Sequence, residues 1–296
     1  ATQQNYSFIS SLGHNYDKIS CSVVTTPGGE SEDSTHAILK VRPETPSVTP
    51  ENITVPDGEK INYTCNSSYT LTHTVTFRWF LNGAAIANAT QQIYSFTSAL
   101  GDNNNNFACS VEATTGGESD KSTPVSPNVR PKPPSVTPVS ITVSDGEKIS
   151  YTCNTPYTTK DKVSFKWFRN GTNIASATNQ IYTFTSSLGD NRNNFACRVE
   201  TSPGGGSEKS NLVSPDVKPK APSVTSENYT ASDGEHITYT CNTSYTSNEK
   251  VRFRWYKNGT VIPQATQQNY SFISSLGHNY DKISCSVVTT PGGESE

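Results

Sequence analysis

Seven cysteines, Cys21, Cys65, Cys109, Cys153, Cys197, Cys241 and Cys285, follow one another at intervals of 44 residues. A period this regular signals repeated structural units. Their surroundings show that the true period is 88. Cys65, Cys153 and Cys241 each sit in Tyr-Thr-Cys-Asn, Cys109 and Cys197 in Asn-Phe-Ala-Cys, and Cys21 and Cys285 in Ile-Ser-Cys-Ser. Two kinds of cysteine alternate, one of each per unit. Pro-Ser-Val-Thr opens three units, at Pro46, Pro134 and Pro222. The expected domains are therefore 46–133, 134–221 and 222–296, the last without its final strand, preceded in 1–45 by the C-terminal half of another.

A second repeat overlies the first. Residues 1–32 are identical to 265–296, an offset of 264, three times 88, whereas neighbouring units are only similar. This points to a super-repeat of three domains, with the chain a window on a longer array. A subunit whose terminal halves complete one another fits poorly, because both ends encode the same strands.

A unit of 88 residues can bury only a modest core, and small secreted domains commonly add a disulfide. Net charge is −3, which leaves no basic footprint for nucleic acid. Charged residues make up 17%, so solubility falls to Ser, Thr and Asn or to groups attached to them. No apolar run approaches the roughly 18 residues of a spanning helix. No signal peptide is recognisable, and the absence of methionine suits an interior fragment. Cysteines at fixed phase, with no C-x-x-C spacing for zinc, indicate an oxidising compartment.

Alternation of period two dominates. Ile61, Tyr63 and Cys65 alternate with Asn62 and Thr64, and Val75, Phe77 and Trp79 with Thr76 and Arg78. Tyr94 and Phe96, then Phe107, Cys109 and Val111, continue the pattern. Side chains at i and i+2 share a strand face, so these runs line one core. Asn82-Gly83, Asn170-Gly171 and Asn258-Gly259 predict tight hairpins after the tryptophan strand. Glycine clusters at 28–29, 116–117, 204–206 and 292–293 predict another near each unit's end.

Cys65, Trp79 and Cys109, repeated as Cys153, Trp167, Cys197 and as Cys241, Trp255, Cys285, resemble the immunoglobulin superfamily. Trp-Phe-Leu-Asn-Gly at 79–83 and Trp-Tyr-Lys-Asn-Gly at 255–259 are similar to the C and C′ strands of its I-set and C2-set domains. The resemblance implies an all-β chain of tandem antiparallel sandwiches of about seven strands. It implies B–F disulfides Cys65–Cys109, Cys153–Cys197 and Cys241–Cys285, with Trp79, Trp167 and Trp255 packed against them. Each disulfide is expected to contribute about 4 kcal/mol on the chain-entropy account. Cys21 would find its partner outside the chain. One feature departs from the family. Two residues before the second cysteine, where a tyrosine corner belongs, stand Ile19, Phe107, Phe195 and Ile283. Asn-rich loops such as Asn103 to Asn106 are expected to supply the missing hydrogen bonds.

The junctions at 41–46, 129–134 and 217–222 are proline-rich, as in Val129-Arg130-Pro131-Lys132-Pro133-Pro134. Such segments favour extended, semi-rigid spacers, and an elongated rod is expected. Asn-x-Ser/Thr occurs at Asn5, Asn52, Asn62, Asn66, Asn88, Asn170, Asn228, Asn242, Asn258 and Asn269. N-linked glycans are expected there, given outward-facing strand and hairpin positions.

Catalytic chemistry is not in evidence. Of His14, His36, His73, His236 and His278, only His14 and His278 share a repeat phase, and none recurs beside a fixed nucleophile. Asp-Gly-Glu at 57–59, 145–147 and 233–235 reads as a turn before the first-cysteine strand rather than a calcium site. No catalytic, cofactor or metal site is expected. Tyr69, Tyr157 and Tyr245, four residues after the first cysteine, would pack on a neighbouring domain, on a sugar, or on their own sandwich edge. The leading function is a structural extracellular glycoprotein, a fibre or stalk whose partners are further copies of the repeat. The alternative is the ectodomain of a cell-surface adhesion or immune-type receptor, with other surface or matrix proteins as partners.

Overall fold

The computed structural model describes residues 4–69, 75–114, 116–225, 230–246 and 250–295. The chain forms two compact units, Ala1–Pro131 with Pro203–Gly205, and Lys132–Ser202 with Gly206–Glu296. It is all-β, and the helical segments among the described residues are short 3-10 turns such as Leu100–Asn104 and Leu188–Arg192.

In the first unit a complete sandwich follows a partial one. Lys60–Asn66, the first-cysteine strand, pairs antiparallel with Ser47–Thr49 and Ile93–Thr97. Opposite stands a sheet ordered Ala84–Ala85, Val75–Leu81, Phe107–Ala113, Gly117–Glu118. Thr54–Pro56 runs parallel to Asn128–Arg130. The period-two reading sets the buried face: Ile61, Tyr63 and Cys65 are fully enclosed, whereas Asn62 is exposed. Phe107–Ala113 breaks the alternation, because Ala108 and Ser110 on its other face are buried too. The Ser110 hydroxyl there bonds Glu118 at 2.6 Å, so its burial leaves no unmet donor.

Cys65 and Cys109 bridge the sheets with Cα atoms 6.1 Å apart, and Trp79 lies directly across from Cys109 in register. The Trp79 indole N–H donates to the Gln91 carbonyl at 2.9 Å, which allows complete burial of the ring. Tyr94 packs on Trp79 at 5.6 Å and Phe96 on Phe107 at 4.7 Å between centroids. Full burial of an apolar side chain in this core contributes about 1.5–3 kcal/mol.

The second unit holds two further sandwiches, of which only the first shows the parallel strand pair among the described residues. In one, Ser135–Thr137, Lys148–Asn154 and Ile181–Thr185 face Thr172–Ile174, Ser164–Arg169 and Phe195–Thr201, and Ser140–Ser144 runs parallel to Ser214–Lys218. In the other, Ser223–Val224, His236–Asn242 and Asn269–Ile273 face Thr260–Val261, Arg252–Lys257, Ile283–Thr289 and Gly293–Glu294. Disulfides Cys153–Cys197 and Cys241–Cys285 pin them, beside buried Trp167 and Trp255. After each tryptophan strand the Asn-Gly pair turns with both φ positive, 50° and 83° at Asn82 and Gly83, a backbone that other side chains resist.

Before the first complete sandwich, the described residues carry the turn Leu12–His14, the ladder Lys18–Ile19 with Ala37–Ile38, and the hairpin Val24–Thr25 with Gly29–Glu30. Cys21 is exposed and unbridged there.

Candidate functional site: domain joints and exposed asparagines

The asparagine-rich loop replaces the tyrosine corner. Asn103 Nδ2 donates to the carbonyls of Leu100, at 2.9 Å, and Val129, at 2.8 Å, while its Oδ1 accepts the Val129 N–H at 2.8 Å. The 3-10 turn is thereby fastened to the domain's last strand. Asn191 makes the same three bonds, to Leu188 and Val217, and Asn15 Oδ1 accepts the Val41 N–H at 2.9 Å. Tyr63 and Tyr151 point inward nearby, and their hydroxyls find no hydrogen-bond partner among the described residues. Burial, reinforced by the charges of Asp102 and Asp190 respectively, pushes both phenols up to about 12.

The Asp-Gly-Glu segments are turns. The Ser144 N–H is capped by Glu147 at 2.9 Å and the Ser232 N–H by Glu235 at 2.9 Å, with Gly146 and Gly234 at φ 86° and 81°. Among the described residues no group of three or more His, Cys, Asp or Glu side chains could hold a metal ion. No described helix is long and apolar enough to cross a membrane.

Within the second unit, Tyr245 joins one sandwich to the next. The Thr243 hydroxyl accepts the Tyr245 N–H at 3.3 Å, a local turn that holds the residue in place. Its own hydroxyl accepts the Lys220 N–H at 2.8 Å and donates to Asp145 Oδ2 at 3.0 Å. Lys220 belongs to the linker 219–222, and Asp145 to the turn of the preceding sandwich. Tyr157 likewise turns on Thr155 and accepts the Lys132 N–H at 2.8 Å. Of the three destinations open to these tyrosines from the sequence, Tyr245 takes the neighbouring domain. A second contact completes this joint. Gly292, in the hairpin after the second cysteine, passes so close to Leu188 that a Cβ would stand 2.7 Å from its Cδ2. In the first unit Gly116 approaches Leu12 in the same way, and a Cβ would overlap it. Sequence reasoning marked these glycines only as turns; their 88-residue phase with each other, and that of the leucines, was the available signal.

Nine sequon asparagines lie among the described residues, and all are exposed: Asn5, Asn52, Asn62, Asn66, Asn88, Asn170, Asn242, Asn258 and Asn269. Asn228 lies outside the described residues. Asn62 Oδ1 accepts the Ser95 hydroxyl at 2.6 Å and Asn66 Nδ2 donates to the Thr49 hydroxyl at 2.9 Å, each across a strand pair, and two others fasten a hairpin. Asn170 Nδ2 donates to Asn193 Oδ1 at 2.7 Å and its Oδ1 accepts the Asn194 N–H at 2.8 Å. Asn258 does the same with Asp281 and Lys282, both at 2.8 Å. Asn82, in the same place but without a sequon, makes equivalent bonds to Asn105 and Asn106. The fastening is a property of the hairpin and is independent of any sugar.

The sheet bearing the tryptophan differs in charge from one sandwich to the next. Arg78 reaches Glu118 at 3.2 Å and Glu112 at 3.8 Å. In the following sandwich the arrangement inverts: Glu200 takes both Lys166, at 2.7 Å, and Arg198, at 2.9 Å. The Lys166 hydrogen bond holds the Glu200 carboxyl below its ordinary range. Arg254 and Tyr256 both meet Glu294 in the third. Partly exposed pairs of this kind contribute little to stability.

A profile of the immunoglobulin domain matches residues 45–126, 132–214 and 221–295, well over half of the chain, and the chain belongs to that family. Solved structures similar to it include the three N-terminal domains of the bacteriophage RB49 highly immunogenic outer capsid protein Hoc, at 13% identity over 82% of this chain and 90% of that one, TM-score 0.31. Murine CEACAM1b is 13% identical over 58% and 98%, TM-score 0.30. The four N-terminal Ig domains of Dscam1 isoform 1.9 are 15% identical over 97% and 80%, TM-score 0.26.

Proposed function

We propose that the chain is a non-catalytic segment of an extracellular structural glycoprotein, in which tandem immunoglobulin-like sandwiches form a stalk or fibre. The observation that carries this reading is the joint in the second unit. There a tyrosine from one domain is bonded at once to the linker and to the domain before it. A free hinge needs no such bonds, and an array that carries tension does. The identity of residues 1–32 with 265–296 supports it further, since copying a three-domain block adds length and no new surface. The three disulfides support an oxidising, extracellular or cell-surface setting. The expected four-part division, with borders near 45, 133 and 221, belongs to this proposal. Electron microscopy of native material should show long unbranched filaments with an axial repeat of one or three domains. Short, monomeric particles sink the stalk reading.

N-linked glycans on the exposed asparagines are part of the proposal and would shield edge strands from pairing between chains. Asn170 and Asn258, whose carboxamides already serve the hairpin, are expected to show the lowest occupancy. Site-resolved mass spectrometry before and after glycosidase checks this, and equal occupancy at all sites counts against it.

A second reading, the ectodomain of an adhesion or immune-type receptor, is favoured by the charge inversion between the Arg78 and Glu200 faces. An array selected for length alone has no use for such a change. A partner captured by the chain and lost on charge reversal at Glu200, with the fold intact, would establish it.

A further inference from the structure

Identical sequence places Leu12 and Leu276 in the same 3-10 turn. Leu12 is 3% exposed and Leu276 82% exposed. What separates them is the sandwich that packs on Leu12. Its glycine hairpin, at Gly116, closes over that leucine together with the Val41 carbonyl and Pro43. The second unit repeats the arrangement with Leu188, 8% exposed, beneath Gly292. The same two-part joint thus forms once in each unit, a leucine on one domain received by a glycine hairpin on the next.

We infer that the Leu276 turn is a docking surface whose occupant is a second copy of the sandwich of residues 46–131. The local sequence around Leu276 matches that around Leu12 without a single change, so a surface that seats Gly116 on Leu12 seats it equally on Leu276. The occupant arrives tethered. In this chain the sandwich 46–131 already has its hairpin end covered by Leu12, so a free second chain offers no vacant hairpin of that sequence. A large apolar side chain left at 82% exposure gains from burial, and here the complementary surface is known. The inference deepens the array reading by naming the partner and the contact.

The test uses the full chain and the same chain extended after Glu296 by a second copy of residues 33–133, which continues the sequence as it continues after Glu32. Leu276→Cys is introduced into both, and alkylation of the new thiol is followed by mass spectrometry of its unique peptide. Leu12→Cys in the unextended chain sets the rate for a covered position. The Leu276→Cys thiol should react fast in the unextended chain and at least about tenfold more slowly in the extended one, approaching the Leu12→Cys rate. Tryptophan at the position equivalent to Gly116 in the added copy should restore fast labelling. Equal rates in the two chains overturn the inference. Because the labelling is done on defined chains in solution, it can succeed even where microscopy of native material shows no filaments, so the two readings fail separately.

Discussion

Residues 1–32 and 265–296 share every side chain and keep the same local turns and hairpin, yet differ in the partners their strands meet. In the second copy Asn269–Ile273 is a strand paired with His236–Asn242, and Ile283–Thr289 an unbroken seven-residue strand. In the first, the equivalent stretches hold only the two-residue pieces Lys18–Ile19 and Val24–Thr25, and residues 5–10 form no strand. Val23 is 63% exposed, whereas its counterpart Val287 is wholly buried. The second copy lies across from Arg252–Lys257 and is bridged to Cys241, and the first has neither. The β-propensity of the segment is the same in both, so its partners decide whether it becomes a strand. At the 3-10 turn the order reverses, and the first copy is the buried one. Order in this chain therefore comes from two separate sources, the sheet partner within a domain and the neighbour beyond it.

The largest expected effect comes from making the second copy resemble the first. Replacing Cys241 and Cys285 together by Ala removes the bridge and should cost the third sandwich about 2–5 kcal/mol, read by urea unfolding of the Trp255 environment. A change under about 1 kcal/mol would mean that the sheet partner alone accounts for the difference. Next comes the joint: Leu12→Ala should cost about 2–3 kcal/mol, read by urea unfolding at Trp79 of the sandwich that covers it, and Leu276→Ala less than about 0.5, read at Trp255. Equal costs would contradict the assignment of Leu12 to a covered position. Asn15→Ala removes a bond to the Val41 N–H and should cost about 1–2 kcal/mol, whereas Asn279→Ala, with no such segment beside it among the described residues, should be close to neutral. Smallest is Tyr245→Phe, with about 1 kcal/mol lost at the joint and a wider distribution of distances between labels placed on its two sandwiches. An unchanged distribution would show that the leucine contact alone holds the joint.

The complete sandwiches carry a feature the partial one lacks, and alkali reveals it. Tyr63 and Tyr151 have their phenol pKa raised from 10.0 to about 12, so the folded state holds its proton longer than the unfolded chain. Their stabilising contribution is complete below pH 10 and is lost as pH climbs toward 12. Absorbance at the phenolate band should show two tyrosines titrating late and together with unfolding. Early titration of all tyrosines would indicate looser cores.

Much of this was readable in the residues, because the constraints involved are local. Period-two alternation located Ile61, Tyr63 and Cys65, and Asn-Gly pairs located the hairpins, since both depend on backbone geometry within a few residues. The loss of the tyrosine corner at Phe107 and Phe195 pointed to asparagine, although it did not single out Asn103 and Asn191. The joint was not readable. Leu12 and Leu276 are indistinguishable as sequence, and Gly116 reads as a turn residue whether or not a leucine lies beneath it. Only the packing of one domain on another separates the two.

The parallel pairing of a sandwich's early and late strands has a mechanical consequence. Force applied through the linkers pulls Ser140–Ser144 and Ser214–Lys218 in opposite directions along their common axis, so their evenly spaced bonds are loaded in shear and must rupture together. Thr54–Pro56 and Asn128–Arg130 match over a shorter register, three positions against five. Of these two sandwiches, the one bearing Trp79 should yield at lower force than the one bearing Trp167, an order that single-molecule extension can read.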